Sequence, residues 1–159
     1  IRDRYTYLDK WERTEQDGST RDYAGTHGNC DVTNCVGTPD HKVNLRATWE
    51  RSNWRVSANV NYRGRIDNTL FKNDPDGCAT HFANGNDAPT DCELASFTTV
   101  DLVFRWKPQP KWEVFGSIQN VFDKKAPLDP LTYGAVSYNP LDYYGAIGRF
   151  FTLGARYAF

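Results

Sequence analysis

The chain has no methionine, and no run of apolar residues approaches the ~18 that a membrane-crossing helix needs. These residues therefore offer no candidate membrane-crossing helix. Crossing by strands stays open, because barrel strands alternate and each gives a weak hydropathy signal. The mean hydropathy of -0.70 is compatible with either a soluble or a barrel chain. No charge of one sign dominates: the 19 Lys and Arg against 20 Asp and Glu leave a net charge of -1. Bulk attraction to nucleic acid is therefore missing, and no nucleic-acid partner is expected. Nucleophile-elbow, P-loop and His-Glu-x-x-His patterns are all absent, so no enzyme is expected. Asp101 and Glu113 could form an acid/base pair, but inward charges on a wet face explain them equally well. The sequence starts at Ile1 with no apolar leader, which points to a processed chain or a piece of a longer one.

No Cys-x-x-Cys occurs. The four cysteines form two close pairs, Cys30/Cys35 and Cys78/Cys92, in stretches rich in Gly, Asn, Asp and Thr. Two local disulfides in an oxidising compartment are the expected reading, with zinc the alternative. The three histidines, His27, His41 and His81, are scattered. Asp74, Asp76, Asp87 and Asp91 do not follow the spacing of an EF-hand loop and read as turn residues. Neither a metal nor an organic cofactor is expected.

What the sequence has is alternation. Val43, Leu45, Ala47 and Trp49 fall on one side of a strand over 41–50, with Lys42, Asn44, Arg46, Thr48 and Glu50 on the other. Trp54, Val56, Ala58, Val60 and Tyr62 repeat the pattern over 54–63, and the short Arg51-Ser52-Asn53 turn makes the two a hairpin. A second hairpin is expected from 97–106 and 112–121 across Lys107–Lys111. The last strand carries Phe151, Leu153, Ala155, Tyr157 and Phe159 on one face. Arg2 to about Glu15 reads as a first strand whose alternation is too poor to fix its facing. Trp49 and Trp54 flank one turn, and Trp106 and Trp112 the other, as an interfacial aromatic girdle would require.

Between these strands, short turns (51–53, 107–111) alternate with long loops (16–40, 64–96, 122–148). A transmembrane barrel has that asymmetry, with short periplasmic turns and long extracellular loops. The expected fold is therefore all-β, an antiparallel transmembrane β-barrel portion. Lys42, Arg46, Glu50, Arg55, Arg63, Asp101, Arg105, Glu113 and Arg156 should face a wet lumen. Six strands are too few to close a membrane barrel, and an open sheet in lipid leaves costly unpaired edges. The chain is thus expected to be part of a larger barrel. A soluble, disulfide-braced β-sandwich that binds carbohydrate or protein through its loops is the alternative.

Several motifs carry a family resemblance. Asn120-Val121-Phe122-Asp123-Lys124-Lys125 resembles the segment that leaves the penultimate strand of TonB-dependent outer-membrane receptors. Gly37-Thr38-Pro39-Asp40-His41 is similar to that family's entry to a descending strand. Tyr138-Asn139-Pro140, then Gly148-Arg149-Phe150-Phe151-Thr152-Leu153-Gly154 and the terminal Phe159, resembles its ending. Tyr23-Ala24-Gly25-Thr26-His27-Gly28 also fits. The resemblance implies that residues 1–159 are the C-terminal part of a 22-stranded barrel, its last six strands, with the plug and TonB box upstream. It implies a place in the bacterial outer membrane, among its lipid. The function it implies is ligand capture and energised nutrient import, carbohydrate favoured over siderophore. The partners would be the TonB complex, through the plug, and an extracellular small-molecule or oligosaccharide ligand. On this reading Cys30–Cys35 and Cys78–Cys92 brace outer loops. Tyr133, Tyr138, Tyr143 and Tyr144 are the candidate ligand contacts, because tyrosine offers both a flat face and a hydroxyl. They could equally pack their loop onto its neighbours.

Overall fold

The computed structural model describes residues 1–27, 37–68, 93–129 and 138–159. Cys30, Cys35, Cys78, Cys92 and Tyr133 lie outside these residues.

Six strands form one antiparallel sheet: β1 (Arg2–Tyr7), β5 (His41–Arg51), β6 (Trp54–Arg63), β9 (Phe97–Gln109), β10 (Trp112–Gln119) and β11 (Phe150–Tyr157), paired in that order. Four of the remaining strands are short pieces within the long connections. These are β2 (Glu12–Thr14), β3 (Thr20–Asp22), β4 (Thr26–His27) and β7 (Ile66–Asn68). A fifth, β8 (Glu93–Leu94), leads into β9. A 3-10 turn (Pro140–Asp142) and the short helix α1 (Tyr143–Ile147) precede β11. No helix among the described residues is long and apolar enough to cross a membrane, which says nothing of a crossing by strands.

The alternation sets the register. Trp49, Val56, Phe104, Gly116 and Leu153 lie side by side across five strands, and Ala47, Ala58, Leu102, Ile118 and Phe151 form the row beside them. The opposite face is polar. Arg46, Asn59 and Asp101 are cross-strand neighbours, as are Glu50, Arg55 and Arg105. Glu113 stands opposite Arg156. Every expected lumen charge therefore shares one face. A slip of one residue would turn that face toward lipid, so the pattern itself pins the register.

The apolar face is uncovered: Leu153 is 75% exposed and Phe151 63%. A sandwich would press a second sheet onto this face, and among the described residues the main sheet has none packed there. A lipid-facing wall needs no such cover. At the short-turn end Trp54 stacks on Trp106 with ring centroids 5.1 Å apart, and Trp112 meets Tyr157 at 4.9 Å. At the other end Tyr7 stacks on His41 at 4.9 Å. From Trp54 to Arg63 a strand covers roughly 30 Å at ~3.3 Å per residue. Tilted by about 40°, it spans a height close to the ~25 Å of an outer-membrane apolar band.

Three boundaries differ from the expectations, each for a local reason. The first strand ends at Tyr7: Leu8 N–H makes the last bond in that register, to the Asp40 carbonyl, and 12–14 pairs instead with 20–22. The β9–β10 hairpin is tighter than 107–111, since β9 runs to Gln109 through a register shift opposite Trp112 and Val114. The long connections contain regular structure. β4 and β7 pair in parallel, and β7 pairs with β8. Their roots hold the buried apolar core: Tyr23, Ala24, Ile66, Leu94, Phe97 and Ala126.

Candidate lumenal site

The polar face becomes a site because a loop folds over it. Asn120 controls that fold. It ends β10 with φ of 48°, a left-handed conformation that Asn tolerates better than most side chains. Its backbone N–H donates to Asp101 Oδ1 at 2.9 Å, and its Oδ1 accepts from Lys124 N at 2.9 Å. Its Nδ2 donates to the carbonyls of Lys124 and Tyr144. Asn120 is wholly buried, so these bonds satisfy groups that would otherwise be costly. Asp123 continues the fold: its Oδ1 accepts from Arg149 N at 2.9 Å, which fixes the entry to β11. The Arg149 amide and the Lys125 ammonium together hold the Asp123 carboxyl below its ordinary range. Asn139, also buried, caps the 3-10 turn by accepting from Leu141 N at 2.9 Å.

Asp142 anchors this loop to the sheet. Arg63 at the end of β6 grips it with a fork, Nε to Oδ1 at 2.9 Å and Nη2 to Oδ2 at 2.5 Å. Both side chains are buried. Burial pushes the Asp142 carboxyl up, against the downward pull of Arg63. A second buried contact joins two other segments, with His27 Nδ1 3.4 Å from Asp129 Oδ2. Burial lowers the imidazole below its ordinary value. That outweighs the upward pull of Asp129 and Asp67, and Arg63 adds to the lowering.

With the loop anchored, two adjoining grooves open on the polar face. The larger, about 580 Å3, is bordered by Arg2, Arg4, Arg46, Asn59, Asp101 and Tyr144 among others. The smaller, about 240 Å3, lies between Lys42, Arg63, Phe97, Thr99, Tyr143 and Tyr144 and their neighbours. They share Asn44, Asn61 and Tyr144. Asparagine pairs line the floor: Asn44 Nδ2 donates to Asn61 Oδ1 at 3.0 Å, and Asn61 Nδ2 to Asp101 Oδ2 at 2.9 Å.

The structure brings together two of the candidate tyrosines. The rings of Tyr143 and Tyr144 lie 4.0 Å apart and border the smaller groove. Tyr143 is 48% exposed. The bond with Tyr143, helped by burial, pushes the Tyr144 phenol up to about 12. Tyr138 is elsewhere, bridged to Leu128, and borders neither groove. Sequence reasoning missed Arg2, Arg4 and Asn59 as groove residues. The signal for β1 was the polar alternation of its partner: Arg2 pairs with Arg46 and Arg4 with Asn44. Among the described residues no group of three or more His, Cys, Asp or Glu could hold a metal.

The family profile described as TonB dependent receptor-like, beta-barrel matches residues 2–121. No curated protein matches. Among solved structures, the ferric-catecholate import receptor Fiu of E. coli matches in its open form with a TM-score of 0.51 at 18% identity, over 77% of this chain and 16% of that one. Its closed form matches with a TM-score of 0.51 at 18% identity, over 96% of this chain and 17% of that one. The ferric enterobactin receptor PfeA of Pseudomonas aeruginosa gives a TM-score of 0.45 at 17% identity, over 86% of this chain and 19% of that one. At these identities the likeness concerns the fold alone, and the chain spans less than a fifth of each receptor. Members of the matched family are transporters of the Gram-negative outer membrane that bind TonB and extracellular ligands. With its sheet, its two-faced alternation and the match over 2–121, this chain belongs to the β-barrel of the TonB-dependent receptors, in the outer membrane.

Proposed function

We propose that residues 1–159 form the last six strands of a 22-stranded receptor barrel, with the plug and earlier strands upstream, and that the whole receptor captures a nutrient and imports it with energy from TonB. The observation that carries this is the polar face roofed by α1. A single antiparallel sheet presents asparagine, arginine and tyrosine toward one side and bare Trp, Phe and Leu toward the other. On this reading the long segments face outward and the lumenal groove takes part in passage. We favour a carbohydrate ligand. Its support is the half-exposed Tyr143 ring beside asparagine amides, a flat platform with hydroxyl-binding groups around it. Tyr138 would contact ligand only outside the groove, and Tyr133 is proposed as a further contact. Cys30–Cys35 and Cys78–Cys92 disulfides would brace the outer segments.

Two measurements test this reading. In whole cells carrying the full receptor, a tag near Asn84 should react with an impermeant reagent and one at Ser52 should not; the reverse pattern overturns the topology. Uptake of labelled oligosaccharides into those cells should require TonB. Uptake that is equal with and without TonB overturns the energised-import reading.

A further inference from the structure

The three long connections are tied to one another in pairs, not only to the sheet. Between the first (8–40) and the second (64–96) run the parallel pairs Thr26–Asp67 and His27–Asn68, with Asp67 N donating to the Gly25 carbonyl at 2.7 Å. Between the first and the third (120–149) runs the contact of His27 Nδ1 with Asp129 Oδ2 at 3.4 Å, both side chains buried. Between the second and the third runs the Arg63 fork onto Asp142, at the residue where β6 gives way to the second connection. The short helix α1 adds packing to this last tie. Gly145 sits so close to Phe97, the first residue of β9, that a Cβ there would lie 2.6 Å from the ring. The ties therefore close a triangle. One of them is a long reach: β5 and β10, which bound the first and third connections, are three strand spacings apart, roughly 14 Å at ~4.8 Å each. The third connection meets the first only by crossing over the ends of β6 and β9. The two charged ties also feel each other. Burial is the main cause of the low His27 imidazole and of the raised Asp142 carboxyl, but Arg63 adds to the first and Asp129 to the second. Every partner named lies within residues 1–159, and His27, Arg63, Asp129 and Asp142 are buried by these residues alone. More protein around them could only bury them further.

We propose that the roots of the three connections form one collar that opens and closes as a unit. In a closed triangle no corner lifts alone. Freeing the third connection breaks both charged ties, and freeing the first breaks the His27 tie and the parallel ladder. A buried charge left without its partner is costly, so states with one corner loose and two in place are penalised. Contiguous segments joined by buried contacts are the ones that open together. For a receptor the consequence is that ligand held by any one connection biases all three, because it shifts the collar toward whichever state it binds better. The collar stands on the ties alone; only that use of it rests on the import reading above.

The test is amide hydrogen exchange on the full receptor in detergent, read by mass spectrometry. It uses neither ligand nor TonB, so its outcome is separate from that of the import reading. Two isosteric variants each cut one charged tie: Asp129→Asn between the first and third connections, and Asp142→Asn between the second and third. Each should accelerate exchange about tenfold or more, and by a common factor, in three stretches, 23–27, 63–68 and 138–146. Gly145→Ala, which wedges α1 away from Phe97 without removing a charge, should give the same three-stretch pattern. Exchange across 47–57, in the short-turn half of the β5–β6 hairpin, should keep its wild-type rate, which shows that the barrel wall is folded. Acceleration confined to the segments that the lost tie joins overturns the collar: 63–68 unmoved by Asp129→Asn, or 23–27 unmoved by Asp142→Asn. Acceleration that extends to 47–57 overturns it too, because the unit is then the whole wall.

Discussion

The two ends of the sheet are held together by different physics. At the short-turn end, β5–β6 and β9–β10 close in tight hairpins, and aromatic rings stack on an uncovered face. There is little buried polar chemistry there: Arg55 and Glu50 are more than half exposed. At the other end the connections return onto the sheet and bury charge. Arg63–Asp142, His27–Asp129 and Asn120 all lie beneath segments that come from different parts of the chain. The difference teaches where specificity resides. A turn that faces lipid headgroups needs only rings that tolerate an interface. A set of long segments that must hold one arrangement uses buried polar groups, which penalise every arrangement that leaves them unpaired.

The comparison can be broken most sharply at the loop end. Arg63→Ala strands the Asp142 carboxylate in a buried site, and breaking a buried pair from one side costs roughly 3–5 kcal/mol. The expected outcome is proteolytic cleavage between 122 and 148 in the variant under conditions where the wild type resists. Unchanged resistance would mean that the fork does not anchor the loop. Asn120→Ala removes the donor to the Lys124 and Tyr144 carbonyls and the acceptor for the Lys124 N–H, each orphaned group costing ~1–3 kcal/mol. Hydrogen exchange at Lys124 and Arg149 should accelerate, with β5–β6 unaffected. Should the two regions loosen together, the ends are not independent.

Acid gives a third, smaller perturbation. The folded-state pKa of His27 lies below its ordinary 6.5. Below that ordinary value the unfolded loop binds more protons than the folded one, so stability falls as pH drops through the mid-6 range and is full above it. Opening of segment 20–27, read by hydrogen exchange, should therefore increase between pH 7 and pH 5 in the wild type and not in His27→Gln. At the turn end the effects are slight. Trp106→Leu gives up the stack with Trp54, worth ~0.5–1.5 kcal/mol beyond area. Tryptophan fluorescence should shift with no change in loop proteolysis.

The same division governed what could be read from residues alone. Strands 41–50 and 54–63 were legible because Val43 to Trp49 and Trp54 to Tyr62 keep one face apolar while the other stays polar. The girdle was legible because Trp49, Trp54, Trp106 and Trp112 sit beside turn residues. The facing of β1 was not, since Tyr5 and Tyr7 alternate with charges but Asp3 interrupts the apolar side; pairing with Val43 and Leu45 decides it. The loop network left no local trace. Arg63 finds Asp142 across 79 residues, and nothing near either marks the partner. The Asn120–Lys124 motif was visible only as a family mark. Its reason, a buried side-chain amide satisfying three backbone groups while the same residue's N–H serves Asp101, belongs to the folded geometry. For the tyrosines, adjacency in sequence anticipated the Tyr143–Tyr144 contact, whereas Tyr138 was separated from them by the cap at Asn139.

The parallel ladder between β4 and β7 has a mechanical consequence. Two segments from different connections leave their roots in the same direction, joined by Thr26 to Asp67, His27 to Asn68 and the bond from Asp67 N to the Gly25 carbonyl at 2.7 Å. Force along one, with the other held at its root, would load these bonds in shear, all at once, rather than one by one as in an unzipping hairpin. A pull on either segment would therefore be resisted by both, and the pair would yield together or hold together.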